Sequence, residues 1–231
     1  MNLKKLACVA SLVLALSSGA FAASSSRWEQ WLNSYYQNPQ PDLVVRATYG
    51  LSSDGYFEQP GAVPTAIGFY SQVFAANPER VDSWFANFRE LPQSEQRLLA
   101  SALWYAGNPK GEKLLRRLAA AGSDYRADID RLTSAPSQSV SATPVLSDSS
   151  MNLQWGAFLA SGGEQHITAI LDGMGRGNLG DSARVGLAFA AAHHPRVLEI
   201  CRTQLDRQPN EVRSVLRAVI NDAERKQPPS S

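Results

Sequence analysis

The chain has 231 residues and a formal net charge of +1, with 19% charged and 44% apolar residues. This near-neutral balance gives no field to attract nucleic acid, and the apolar fraction is sufficient for a packed core. With three histidines and two cysteines in the whole chain, a metal centre has few ligands to draw on.

Residues 1–22 have the pattern of a cleavable signal peptide. Two lysines, Lys4 and Lys5, precede an apolar run over residues 6–16 that is short for a membrane span. Ala20-Phe21-Ala22 fits the small-x-small cleavage pattern, so we predict a cut after Ala22 and a periplasmic or secreted protein. An uncleaved anchor and a buried first helix are the alternatives. After cleavage we expect no stable membrane insertion.

Loss of the signal changes both the charge and the cysteine content. Without Lys4 and Lys5, 20 basic residues stand against 21 acidic ones, a net charge of −1. Cys8 leaves as well, so Cys201 is the only remaining thiol and no internal disulfide can form. We therefore expect packed apolar faces to stabilise the mature chain.

The first part of the mature chain contains three helical patterns. Ser26 is the predicted cap of a helix reaching Gln37, and Asp42 is the predicted cap of the next. A third helix is predicted over residues 64–76. Between the second and third, residues 52–61 read as a loop that exposes two aromatic side chains, Tyr56 and Phe57.

Residues 77–122 predict three further short helices. Asn77-Pro78 and Asn108-Pro109 each combine a capping side chain with a proline at the first helical position. Gly122 is predicted in the left-handed position after the last helix. Trp84 lies on the apolar stripe of the first of the three, and such short helices require burial on neighbours.

The rest of the chain begins with a change in composition, after which the apolar spacing is again helical. Residues 134–150 are rich in Ser, with Pro and Thr, and read either as a linker or as a long loop within one domain. Helices are predicted from Met151, Glu164, Asp181, Pro195 and Pro209. The predicted organisation is an N-terminal lobe at 23–133, the 134–150 segment, a C-terminal lobe at 151–225 and a disordered tail at 226–231.

The fold class that follows is all-α, an irregular array of short antiparallel helix pairs without a sheet. Asn-Pro recurs at 38–39, 77–78 and 108–109, and the unequal intervals of 39 and 31 residues argue against a regular solenoid. No stretch alternates in the way a half-buried strand does.

Motifs that carry chemistry are absent or lack their context. Residues 175–180 match G-x-G-x-x-G, but a nucleotide site needs a strand before that loop, so we read it as a turn between helices. His193 and His194 are adjacent and point about 100° apart on a helix, and His166 is distant in sequence. Cys201 shares an apolar face and reads as a buried residue. We predict no cofactor, no metal site and no catalytic residues.

The helix opening at Ser26 is dense in aromatic residues. Trp28, Trp31 and Tyr35 share one stripe and read as core, whereas Tyr36 lies off it. Tyr36, Tyr56 and Phe57 are therefore the candidate binding residues, chosen for expected exposure.

Four segments resemble a family of exported, all-helical proteins of Gram-negative bacteria. They are residues 28–36, 74–84, 155–162 (WGAFLASG) and 194–201 (HPRVLEIC). The resemblance implies export and helical architecture. It implies no activity and no site residues, because none are established for that family.

The function predicted from these features is a non-catalytic interaction module that binds a protein or peptide partner in the cell envelope. Stacked helices expose continuous surfaces suited to such binding. The alternatives are an immunity protein that neutralises a periplasm-acting toxin, and a hydrolase of envelope polymers with an unrecognised site. The oligomeric state stays open.

Overall fold

A computed structural model describes residues 26–122, 125–177, 179 and 181–226. These ranges form α-helices and short 3-10 turns, without a strand, so the all-α prediction is confirmed there. The predicted signal peptide and residues 227–231 of the predicted tail lie outside them. The helices are α1 (Arg27–Ser34), α2 (Val44–Ser53), α3 (Ala62–Ala76), α4 (Val81–Asn87), α5 (Gln93–Tyr105), α6 (Pro109–Ala120), α7 (Arg126–Leu132), α8 (Asp148–Ser161), α9 (Glu164–Gly175), α10 (Asp181–His193), α11 (Pro195–Gln204) and α12 (Asn210–Lys226).

Two of the predicted helix caps are confirmed by their hydrogen bonds. The Ser26 hydroxyl accepts from the Glu29 N–H at 3.2 Å, and Asn108 Oδ1 accepts from the Gly111 N–H at 2.8 Å. Gly122 has φ +75°, the left-handed conformation predicted for it. Local signals therefore fix the start of α1 and both ends of α6.

The other two predicted caps are wrong. Asn77 donates its side-chain N–H to the Val73 carbonyl, closing α3, and α4 begins only at Val81. Asp42 lies in a 3-10 turn before α2 and forms an ion pair with Arg80. Asn77 is thus engaged by the preceding helix and Asp42 by a long-range ion pair, so neither side chain caps the helix that follows it.

Helices α3 and α8 are in direct backbone contact. A Cβ placed on Gly68 of α3 would lie 1.9 Å from the carbonyl oxygen of Leu153 in α8. A Cβ placed on Gly156 of α8 would lie 1.8 Å from the carbonyl oxygen of Thr65 in α3. The two backbones touch directly at both points, which only glycine permits.

One large buried apolar cluster extends from the crossing to both ends of the described chain, beside a small second cluster of Val140, Leu153 and Ala157. The large cluster includes Leu32 of α1, Phe69 of α3, Phe158 of α8, Ile167 of α9 and Leu216 of α12, each 2% exposed or less. Helices on both sides of the 134–150 segment thus contribute to one core, whose burial supplies the main favourable free energy of folding.

The 134–150 segment is anchored to α8. Val140 and Val145 are buried, and the side-chain N–H₂ of Gln154 donates to the carbonyls of Val140 and Thr143 at 2.9 and 2.8 Å. Ser147 and Ser150 cap α8 reciprocally, so the helix starts at Asp148, three residues before the predicted start at Met151.

None of the helices in the described ranges is long and apolar enough to cross a lipid bilayer.

We expect Gly156→Ala to destabilise the fold by more than about 3 kcal/mol, because the new methyl group meets backbone rather than a flexible side chain. The matched control is Gly186→Ala in α10, where the nearest atom to the new Cβ is 3.9 Å away. That variant should be neutral or stabilising by up to about 1 kcal/mol, since alanine favours the helix. Urea unfolding of the two variants measures this, and equal effects would contradict the backbone contact.

Trp84→Ala should lower the free energy of unfolding by about 3–5 kcal/mol, because Trp84 is only 5% exposed and packs near Phe74. Ser83→Ala, at the exposed neighbouring position of α4, is the control and should change it by less than about 0.5 kcal/mol. Thermal unfolding followed by circular dichroism compares them. An unchanged melting temperature for Trp84→Ala would refute its burial.

Candidate functional site

Tyr36, the first of the predicted binding residues, is half-buried rather than freely exposed. Its ring centroid lies 5.2 Å from that of Phe158 and 5.9 Å from that of His194. Its hydroxyl is 3.4 Å from Nδ1 of His194. Tyr36 thus joins the end of α1 to α8 and to the α10–α11 junction, which gives it a packing role.

The expected exposure of Tyr56 is wrong, and that of Phe57 is only partly right. Gly55, with φ +69°, starts a 3-10 turn that directs Tyr56 into the core, where it is 3% exposed. Its hydroxyl has no hydrogen-bond partner in the described chain, and burial raises its pKa. Phe57 packs edge to face against it at 5.5 Å and is half-buried.

A cleft on the outer side of α1 is the candidate site. It encloses about 230 Å³ and lies between α1 and the turn that leads into α2. We call it the α1 cleft. Its lining residues are Arg27, Trp28, Gln30, Trp31, Ser34, Asn38, Gln40 and Leu43.

The two tryptophans that line the α1 cleft pack against residues on the core side of α1. Trp31 is 8% exposed, and its ring packs edge to face against Tyr35 at 5.1 Å and Phe69 at 5.4 Å. Trp28 lies over Gly50 so closely that a Cβ there would be 1.9 Å from its indole nitrogen. The aromatic side of the cleft is therefore set by packing onto α2 and α3.

Two donor groups of the α1 cleft have no acceptor or ion-pair partner among the described residues. The Arg27 guanidinium lies 5.0 Å from the Trp28 ring centroid and has no ion-pair partner in the described chain. The Trp31 indole N–H is buried and unpartnered among the described residues. Among the described residues, no Asp or Glu side chain lines the cleft. This combination of aromatic surface, positive charge and free donors is suited to binding an acceptor-rich group.

The buried titratable groups elsewhere have structural environments. His166 is fully buried, and its Nδ1 donates to Oε1 of Gln154 at 2.8 Å, as the Gln154 orientation requires. Burial lowers its pKa to about 4. Cys201 is fully buried, and burial raises its pKa to about 12, which keeps the thiol protonated and unreactive.

The remaining motifs keep their predicted structural reading. The glycine-rich loop connects α9, which ends at Gly175, to α10, which begins at Asp181, although Asn178 and Gly180 lie outside the described residues. His193 contacts the Phe189 carbonyl through Nδ1 at 2.8 Å. Among the described residues, no group of His, Cys, Asp and Glu is arranged to hold a metal ion.

A second cavity of about 440 Å³ lies where α9, α10 and α12 meet. Its floor is apolar, with Met174, Leu179 and Val212, and its rim is charged, with Asp181 and Arg184 3.6 Å apart. Asp181 and Arg184 pair with each other, whereas Glu211, which also lines this cavity, has no ion pair among the described residues. The α1 cleft is the stronger candidate because it combines an unpaired positive charge with an aromatic wall that is held by packing.

Sequence reasoning identified the aromatic residues of α1 but not the cleft. Trp31 lies in the core as predicted and Trp28 is partly buried against it, whereas the sequence shows Asn38-Pro39-Gln40-Pro41 only as a break between the first two helices. The structure shows that this break returns Asn38, Gln40 and Leu43 to the side of α1. Two prolines close together after a helix were the available signal, since they force the chain to turn there.

Comparisons of the chain with protein-family models, curated proteins and solved structures found no match. The resemblance to exported helical proteins therefore stays a prediction.

The burial of His166 predicts an acid-sensitive fold. Because its folded pKa is about 4, the folded chain does not take up the proton that the unfolded chain binds near pH 6.5. Stability should therefore fall as pH drops from about 6.5 to 4, by roughly 3 kcal/mol from this group alone. Urea unfolding across this range measures the slope.

The slope should be reduced in His166→Gln, whatever the stability of that variant at pH 7. His193→Gln removes an exposed histidine and should keep most of the wild-type slope, because burial lowers the pKa of His194 more than the charge of His193 does. Identical slopes for all three proteins would show that His166 does not control the acid response.

Proposed function

We propose that this chain is an exported, non-catalytic interaction module that binds a protein or peptide partner in the cell envelope through the α1 cleft. The observation that supports the proposal most is the set of unpartnered groups that line this cleft. The Trp31 indole N–H is buried without an acceptor among the described residues, which lowers the stability of the free protein, and the exposed Arg27 guanidinium supplies a positive charge that no ion pair occupies.

Export rests on the signal-peptide pattern of residues 1–22, and the absence of a catalytic role rests on the sequence. The buried His166 and Cys201 are each engaged in packing, and neither lines the cleft. Their environments are consistent with a binding role, in which a rigid scaffold presents one recognition surface.

The proposal predicts site-specific cross-linking in living cells. A photo-reactive phenylalanine analogue in place of Gln40, on the wall of the α1 cleft, should give a discrete adduct with one envelope protein. The same analogue in place of Lys113, an exposed residue of α6, is the control and should give none. Mass spectrometry of the periplasmic fraction identifies the adduct and checks whether the mature chain starts at Ala23.

Equal adducts at both positions, or none at residue 40, would contradict binding through the α1 cleft. Hydrolysis of a cell-wall polymer by the purified mature protein would contradict the non-catalytic assignment. An adduct with a toxin, together with protection of cells that express this chain, would narrow the function to immunity.

A further inference from the structure

We propose that the α1 cleft recognises the free carboxyl-terminal end of a peptide chain. The inference rests on the proposed function and specifies the chemistry of the partner. It is drawn from the charge, the hydrogen-bonding groups and the size of the cleft.

The charge of the α1 cleft is positive and unneutralised. Arg27 lines it and has no ion pair in the described chain. The two acidic residues nearest in sequence are engaged elsewhere: Glu29 accepts from Nε2 of Gln59 at 2.9 Å, and Asp42 pairs with Arg80. A carboxylate is the partner that a guanidinium binds with the best geometry, through two parallel hydrogen bonds.

The neutral polar groups of the α1 cleft can pair with a peptide group. Neither Asn38 nor Gln40 uses its side-chain amide in a hydrogen bond within the described chain, and each amide offers both a donor and an acceptor. That pairing matches a peptide group. Amides also pair with sugar hydroxyls, so the preference for a peptide end over a neutral sugar comes from the unpaired Arg27 guanidinium, for which a neutral sugar has no carboxylate.

The size and the apolar surface of the α1 cleft limit how much of the bound peptide can enter it. The volume of about 230 Å³ is below the roughly 300–1,000 Å³ of sites that enclose a drug-sized ligand. It suits the last residue or two of a chain. Trp28, Trp31 and Leu43 provide an apolar surface for the final side chain, beside the charged group that its carboxylate would meet.

The test compares short fluorescent peptides that share a common stem and differ in their last residue, each prepared with a free carboxylate and with a terminal amide. Fluorescence anisotropy with the mature protein measures the binding. For peptides that end in an apolar residue, the free acid should bind about tenfold or more tightly than the amide. Equal binding of acid and amide across the whole set overturns the inference.

Two arginine variants provide the matched comparison. Arg27→Gln should remove the preference for the free acid, since it removes the charge that lines the cleft. Arg46→Gln removes another exposed arginine without an ion pair, on α2 and outside the cleft, and should leave the preference unchanged. A loss of equal size in both variants would indicate general electrostatic attraction and would overturn the site.

N-acetylmuramic acid, a carboxylated sugar, is the competing probe. Its binding at the α1 cleft in the absence of peptide binding would assign the carboxylate to a glycan and refute the peptide inference. The two proposals can fail separately. If a cross-link forms at residue 40 but peptide acids and amides bind equally, the carboxylate inference is wrong and the proposed interaction module still stands.

Discussion

The direct contact between the backbones of α3 and α8 is the constraint on which the rest of the structure depends. Gly68 and Gly156 place carbonyl oxygens of the opposing helix where any other residue would have its Cβ. Once these two helices meet at that distance, Phe69 and Phe158 are carried into one core from residues far apart in sequence. Long-range packing of this kind, rather than pairing of successive helices, joins the two halves of the chain.

The α1 cleft is a secondary result of the same crossing. Phe69 follows Gly68 on α3 and supports the ring of Trp31, while α2 supplies Gly50, on which Trp28 rests. The α1 cleft is therefore built largely on packed helices, and only one side of it is formed by the turn at residues 38–43. Such a base lets a small cleft keep its shape when empty, which reduces the conformational entropy that binding has to overcome.

The sequence predicted the helices well where the signals are local. Ser26, Asn108 and Gly122 act on backbone groups within a few residues, and each has the conformation or hydrogen bond that its pattern predicts. Asn77 and Asp42 carry the same kind of signal but are engaged by Val73 and Arg80. A capping pattern alone does not reveal whether a better partner arrives from elsewhere in the fold.

The candidate site was less accessible to sequence reasoning for a related reason. Tyr56 looks like an exposed loop residue because residues 52–61 are rich in Ser, Gly and other turn-forming residues, and only the left-handed turn at Gly55 places it in the core. Arg27 and Gln40 come together through a reversal of the chain that the two prolines indicate but do not orient. The role of Gly68 and Gly156 is equally hidden, since glycine inside a helix ordinarily signals weakness rather than close packing.

Cys201 gives the molecule a property that extends beyond its packing. It is the one cysteine of the described residues, and the core covers it completely. A thiol-reactive dye can modify it only after α11 detaches from its neighbours, so the labelling rate would count transient openings of the C-terminal half. Cys201 is thus a built-in labelling probe of local unfolding. It lies far in sequence from the cleft residues of α1.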